Sequence, residues 1–284
     1  MQIDGSFIVV TGASSGIGAA LAPLLARRGA TVGLVARRED RLHTVLASCR
    51  EHAPDSRFWV ADLGDLGRAE EVALEAWDAF GSVDCLVNNA GIPKRTPVAR
   101  LTGADIAHVM DVNFHSPVRM TLALLPHWLA RGAGCVVNVA SLGGRIPIAH
   151  EAAYCASKYA LSGWSEVMAV DLYGTGIEVK LMHPGPIATE IWDQPGNDAA
   201  AFSGPFVSAA DCATAIADGI EDDGFEYYVP AEFPGGTGTQ HAVVVNKTAD
   251  PDAFVRLMGQ IDLDTMPEGR RPPDTLGGPK PPRR

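Results

Sequence analysis

Phe7-Ile8-Val9-Val10-Thr11-Gly12-Ala13-Ser14-Ser15-Gly16-Ile17-Gly18 is a short apolar, partly β-branched run that passes straight into a glycine-spaced turn. A run of that kind, without polar alternation, is what a strand covered on both faces requires. A helical pattern over about 16–28 follows at once. Glycines let the backbone turn tightly and approach a pyrophosphate closely. The helix start beyond them offers unpaired N–H groups and the positive end of the helix dipole. An ordinary βα loop also uses glycines. The position directly after the first strand of a βαβ unit is what favours the nucleotide reading, and Gly12, Ser14, Ser15, Gly16, Ile17 and Gly18 become its candidate contacts.

The same rhythm continues outward. Thr31–Ala36, Arg57–Ala61, Cys85–Asn88, Cys135–Val139, Ile177–Met182 and Glu226–Val229 are further strand-like runs. Helical patterns lie between them at about 41–51, 66–80, 103–130, 152–173 and 209–221. Regular alternation predicts an α/β fold: a doubly wound, Rossmann-like parallel sheet of about seven strands with helices on both faces. Residues 190–208 break the rhythm and carry Pro195-Gly196-Asn197 and Gly204-Pro205, which marks a long loop with a functional role. Asp250-Pro251 reads as an N-cap followed by Pro at the first helical position, so a short helix is expected over roughly 251–260. One domain is expected over 1–264. Residues 265–284 carry six prolines and five basic against two acidic residues, and are read as a disordered tail without further role.

Composition narrows the function. The chain has 284 residues, 46% hydrophobic, and a net charge of −11 at pH 7. That charge argues against a general nucleic-acid binder. No apolar run approaches the ~20 residues of a membrane span, and the first residues show no secretory pattern. Five scattered cysteines form no C-x-x-C pair, which speaks against a metal site and for reduced thiols in the cytoplasm.

The second strand ends in Val35-Ala36-Arg37-Arg38. An NAD site places a carboxylate at that tip to accept the ribose 2′-OH. Adjacent guanidinium groups pair a 2′-phosphate instead, so NADP is expected in preference to NAD. Solvation of a helix start is the plainer alternative, and Glu39 and Asp40 blunt the local field. Tyr154-Cys155-Ala156-Ser157-Lys158 places a phenol and an ammonium four residues apart, on one helix face. A neighbouring ammonium is expected to lower the phenol from its usual value near ~10, so that it exchanges a proton with a substrate oxygen near neutral pH. Ser141 follows the apolar strand at its C-terminal end, where open α/β sheets place their chemistry.

Taken together, these motifs resemble the compact branch of the short-chain dehydrogenase/reductase family. The match spans about residues 5–230 and rests on Thr11-Gly12-x-x-x-Gly16-x-Gly18, Asp62-Leu63, Asn88-Asn89-Ala90-Gly91, Asn113, Ser141, Tyr154-x-x-x-Lys158 and Pro184-Gly185, in that order. The resemblance implies an oxidoreductase that moves a hydride between a nicotinamide cofactor and a carbonyl or secondary alcohol. It makes Asn113, Ser141, Tyr154 and Lys158 a catalytic tetrad, with Lys158 also gripping the nicotinamide ribose and Asn113 holding a water in a proton relay. It gives Asp62 and Leu63 to the adenine and Asn89, Ala90 and Gly91 to the cofactor cleft. Ile187 and Thr189, beyond Pro184 and Gly185, fall to the carboxamide. Arg37 marks NADP preference in this family. Many NADP-preferring members also carry a basic residue within the glycine turn, where this chain has Ser14-Ser15.

Substrate contacts are expected from Leu142–His150 and from the loop after Thr189, including Ile191, Trp192 and Phe202, which suits a hydrophobic substrate. His150 is read as a helix-start surface residue, with a polar substrate contact as the alternative, and Glu190 as a solvated loop charge. Leu161, Trp164, Val167 and Met168 are open between core and subunit interface, and the resemblance implies a homodimer or homotetramer. Two other classes stay in view: a cofactor-binding scaffold or sensor without turnover, and an isomerase or dehydratase that reuses bound cofactor.

Overall fold

The structure is a computed structural model that describes residues 1–200, 202, 204–232 and 238–265. Strands β1 (Phe7–Thr11), β2 (Thr31–Ala36), β3 (Arg57–Val60), β4 (Cys85–Asn88), β5 (Gly134–Val139) and β6 (Ile177–Pro184) enter a seven-stranded parallel sheet. Two further strands, β7 (Ile187–Ala188) and β8 (Val207–Ser208), pair with each other in a separate two-stranded sheet. The last strand, β9 (Glu226–Val229), completes the order β3-β2-β1-β4-β5-β6-β9. The order reverses at β1/β4, where crossovers to the two sides diverge and leave a crevice above the strand ends.

Both faces of the sheet are covered, as unbroken apolar strands demand. Val10, Leu34, Val87 and Val137 point to one face, against α1 (Gly16–Arg27), α2 (Glu39–Arg50) and α7 (Ala209–Glu221). Val9, Val35, Leu86 and Val136 point to the other, against α3 (Leu66–Phe80), α5 (Ser116–Arg131) and α6 (Ala152–Asp171). Each such side chain removed from water contributes about 1.5–3 kcal/mol. The sequence pattern over 103–130 is one helical run in two pieces. The first, α4 (Gly103–Met110), is joined to α5 through a π-helical turn, Asp111–His115, which holds Asn113. Such turns concentrate at functional sites. Leu161 and Met168 belong to the core at 1% and 6% exposure, whereas Val167 of the same helix is 60% exposed.

The region after β9 departs from the sequence reading. A helix α8 (Gln240–Ala249) precedes the expected one, and α9 (Pro251–Thr265) runs longer than 251–260. Its N-cap is the expected one, because Asp250 Oδ1 accepts from the Ala253 N–H at 2.8 Å. The Pro/Arg-rich tail beyond Thr265 lies outside the described residues.

One hydroxyl ties the crevice together. Thr11 Oγ1, at the end of β1, accepts from the backbone N–H groups of Asn89 (2.9 Å) and Ala90 (3.0 Å) and donates to the Val87 carbonyl (3.2 Å). Thr11→Val keeps the shape and orphans those N–H groups. We predict a loss of about 1–3 kcal/mol of unfolding free energy, read as a lower urea midpoint with an unchanged m-value; an unaltered midpoint would show that the hydroxyl carries no weight.

Candidate active site

The glycine turn wraps the crevice as its spacing predicts. Gly12 and Gly16 have φ of +67° and +54°, the left-handed region that favours glycine. A Cβ at Gly18 would lie 2.5 Å from the Gly12 carbonyl oxygen, so helix α1 packs onto the turn only without one. Asn89 closes the far wall, its Nδ2 donating to the Thr11 carbonyl at 2.8 Å. The resulting groove of about 370 Å³ is lined by Gly12, Ser14, Ser15, Gly16, Ile17, Arg37, Arg38, Asp62, Leu63, Asn89, Ala90, Gly91 and Thr189. Gly18 supports this groove from behind.

Arg37 is exposed at the groove mouth. Arg38 lies across the glycine turn, donating to Ser14 Oγ (3.3 Å) and Ser15 Oγ (2.6 Å). The basic group missing from the turn in sequence is thus supplied from the end of β2. Glu190 is an exposed loop charge as expected, but a paired one: it accepts from Arg38 at 2.9 Å and from Arg41 at 2.5 Å, and bridges the start of the substrate loop to the groove rim. Those two guanidinium groups hold the Glu190 carboxyl below its usual range.

A second cavity of about 560 Å³ shares Ile17, Asn89, Gly91 and Thr189 with the first. Ser141, Tyr154, Lys158, Pro184, Gly185 and Ile187 line it, so the two cavities bring together every sequence-predicted residue but Gly18 and Asn113. Ser141 ends β5 and caps a short 3₁₀ turn. Its Oγ accepts from the Gly143 N–H at 3.0 Å, which leaves its own proton to donate. Lys158 is 3% exposed and donates to the Val139 carbonyl at 2.9 Å, with its Nζ 5.8 Å from the centre of the Tyr154 ring. Burial pushes the Lys158 ammonium down to about 8. A Cβ at Gly91 would come 3.5 Å from both Lys158 Nζ and Asn113 Oδ1, so glycine keeps this corner open. The two adjoining cavities together fit an elongated ligand of dinucleotide size.

One expectation changes. The phenol of Tyr154 is not made acidic by its lysine. Burial raises it first and foremost, Glu151 and Cys155 add to the rise, and only Ser141 and Arg95 oppose it. The ammonium sits beside the ring and donates one of its protons to the Val139 carbonyl. Asn113 is fully buried beneath the cavity and acts as an anchor. Its Oδ1 accepts from the Ile92 N–H (2.8 Å), while Nδ2 donates to the Ile92 carbonyl and to Ser157 Oγ (both 3.0 Å). Both Nδ2 protons are committed to protein acceptors, so the side-chain amide fixes the loop after β4 against α6.

The remaining walls are mainly apolar: Leu142, Ile146 and Ile148 after Ser141, and Ile191, Trp192 and Phe202 from the substrate loop. Met258 of α9 closes the cavity, and Phe254 packs against Leu142 and Ile146. His150 stands at φ +64° and contributes no wall atom, whereas its neighbour Glu151 does. Sequence reading missed Arg95, Glu190 and Met258. Their partners lie 56 to 152 positions away or in a helix without a strong periodic signal, so no spacing rule finds them.

Comparison with known proteins agrees with this geometry. A family model described as short chain dehydrogenase matches residues 6–199. D-threitol dehydrogenase of Mycolicibacterium smegmatis is 32% identical over 70% of this chain and 78% of its own length. The 11-beta-hydroxysteroid dehydrogenase-like 4A of Arabidopsis thaliana is 33% identical over 77% of this chain and 74% of its own. Of several other curated relatives the chain spans only 54–65%. Among solved structures, a short-chain dehydrogenase from Sphingobium yanoikuyae in complex with NADPH superposes with a TM-score of 0.75 at 26% identity, covering 89% of this chain and 95% of that one. The chain belongs to the short-chain dehydrogenase family and is an NAD(P)-dependent oxidoreductase. Among the described residues no helix is long and apolar enough to cross a membrane.

The buried lysine gives a direct test. Lys158 should be an ammonium below about pH 8 and an amine above it, against about 10.4 for an exposed lysine. Side-chain NMR titration of the protein alone should show one lysine with that low midpoint, absent from K158M. A spectrum in which every lysine titrates near the ordinary value would contradict the site's geometry.

Proposed function

We propose that this family member transfers a hydride between NADP(H) and the carbonyl or secondary alcohol carbon of a substrate with an apolar body. One observation carries the reading: Ser141, Tyr154 and Lys158 meet in a single cavity whose other walls are mainly hydrophobic. When bound, the nicotinamide supplies or accepts the hydride. Tyr154 gives or takes the proton at the substrate oxygen, and Ser141, its Oγ already accepting from Gly143, donates to that same oxygen. Lys158 holds a positive charge behind the phenol and offers its remaining protons to the ribose. Asn113 keeps Ile92 and Ser157 in register beneath Lys158. The absence of a carboxylate at the tip of β2, together with Arg37 and Arg38 there, supports NADP over NAD. Of the two named relatives, one carries a sugar-alcohol name and one a hydroxysteroid name. The walls favour the second kind of substrate.

Residues 1–264 are taken as one catalytic unit with 190–208 as its substrate loop. The assembly is proposed to be a homo-oligomer that pairs α5 and α6 with their counterparts. Leu122, Leu129, Val167 and Val170 are exposed there at 47%, 49%, 60% and 74%. The five cysteines are buried and unpaired, which supports a reducing, cytoplasmic setting.

NADPH consumption against a panel running from bulky apolar ketones to small sugars tests the substrate class. Net oxidation with the apolar members is expected. Preference for sugars would overturn the reading, and turnover without net cofactor change would move the protein to isomerase chemistry. Tyr154→Phe should lower turnover by roughly 10²–10⁴-fold with little effect on NADPH binding by fluorescence titration; an active variant would remove the proton-transfer role. Arg37→Ala should narrow the preference for NADPH over NADH by about tenfold or more. An unchanged ratio of kcat/KM values would remove Arg37 from 2′-phosphate recognition.

A further inference from the structure

Arg95 lies four residues past Gly91 and is 3% exposed, and it lines the larger cavity. Its Nε donates to Glu151 Oε1 at 2.9 Å, and Glu151 is itself only 6% exposed. Glu151 stands immediately before α6, three residues ahead of Tyr154. From the other side, Arg95 NH1 donates to the carbonyls of Trp192 (3.3 Å) and Asp198 (3.0 Å), and the guanidinium carbon lies 5.3 Å from the centre of the Trp192 ring. The main chain adds two more ties. The Arg95 N–H donates to Asn197 Oδ1 at 2.5 Å, and the Arg95 carbonyl accepts from the Asp198 N–H at 2.8 Å. Arg100 pairs with the Asp198 carboxylate nearby.

Arg95 therefore joins the loop after β4, the substrate loop and the start of the tyrosine helix. A buried guanidinium needs a counter-charge, and Glu151 provides it. With that charge matched, the fork has donors left over for neutral carbonyls, a geometry Arg offers and Lys does not. Trp192 and Ile191 form cavity wall. Fixing the Trp192 carbonyl and ring against α6 fixes how far that wall stands from Tyr154.

We propose that Arg95 is a positioning residue that pins the substrate loop, through Trp192 and Asp198, onto the helix carrying Tyr154, with Glu151 as its buried counter-ion. The consequence for catalysis rests on the carbonyl-reductase reading above; the consequence for the loop does not. Its side-chain partners Glu151 and Trp192 line the larger cavity and not the smaller groove, so the effect expected is on the substrate rather than on the cofactor.

The test uses the full chain as R95M, R95K and the double variant R95M/E151Q, with two readouts. The first is amide hydrogen exchange over residues 190–200 without ligand. Faster exchange there by about tenfold is expected for R95M, since two side-chain hydrogen bonds to the loop are lost, while the β1–β4 core stays unchanged. The second is steady-state kinetics with the best ketone of the panel. Substrate KM should rise about tenfold, with kcat changed less and the NADPH KM unchanged. R95K keeps the charge against Glu151 and should recover part of both effects. If R95M alone does not fold, because Glu151 is left buried and unpaired, the double variant removes both charges and should show the same loop exchange. Unchanged exchange in the loop of a folded R95M or of the double variant overturns the proposal. A wild-type chain that reduces no ketone defeats the functional reading instead and leaves the exchange result decisive.

Discussion

Parallel strands present all their carboxyl ends to one edge of a sheet, and that constraint organises the site. Seven strands end on the same side here, and the order reverses between β1 and β4. The helices that follow those two strands cover opposite faces, so nothing fills the space directly above the pair. The glycine turn after β1, Asn89 to Gly91 after β4 and Ser141 after β5 all open into this space. None of these residues is placed by local sequence alone. Each is placed because its strand is locked in register with its neighbour, as Val10 is with Val87 and Asn88 with Asn138. Thr11 then converts register into shape, since its hydroxyl holds the Asn89–Ala90 backbone close to the turn.

The same crowding sets the electrostatics. Burial acts on Lys158, Tyr154 and Glu151 and disfavours each charged form. It lowers Lys158, raises the phenol of Tyr154 and raises the Glu151 carboxyl. For Glu151 the Arg95 guanidinium pulls the other way. For Tyr154 the opposing pulls come from Ser141 and Arg95, and its lysine is not among them. In the proposed reaction, a phenol kept neutral beside an ammonium with protons to spare serves as the proton donor. Its release of a proton then depends on what enters the cavity, which ties chemistry to an occupied site.

Much of this was legible in the residues. The unbroken apolar run before Gly12 declared a doubly covered strand, and its repeats declared the sheet. The four-residue interval from Tyr154 to Lys158 declared a shared helix face. Contacts made across long chain separations were not legible. Glu190 meets Arg38 and Arg41 just past β7, whose pairing with β8 covers two residues of each strand, too brief to leave a pattern. The π turn around Asn113 is hidden because five residues of slightly wider helix preserve the apolar rhythm of 103–130. Helix α8 escaped for a different reason: its apolar residues Val243 and Val244 are only partly buried, and they pack on a small cluster with Phe254 and Tyr228 instead of on the sheet.

That small cluster marks a division of labour along the chain. The family match ends at residue 199, and within it lie the glycine turn, Arg37, Asn113, Ser141, Tyr154 and Lys158. The apolar closure of the larger cavity comes in part from beyond it, through Phe202 and Met258, with Phe254 bracing Leu142 and Ile146 from behind. A cofactor common to a family demands the same donors and the same close backbone approaches in every member, which holds the first part of the chain to one geometry. A substrate wall built from side chains on short, separately packed helices carries no such demand. Its residues answer only to volume and polarity, so they can change while the strands, the turn and the buried lysine keep their places. Arg95 lies within the first part. It leaves the sheet at the loop after β4, balances its charge on Glu151 beside the tyrosine helix, and gives its remaining donors to the Trp192 and Asp198 carbonyls, just inside the end of the matched span.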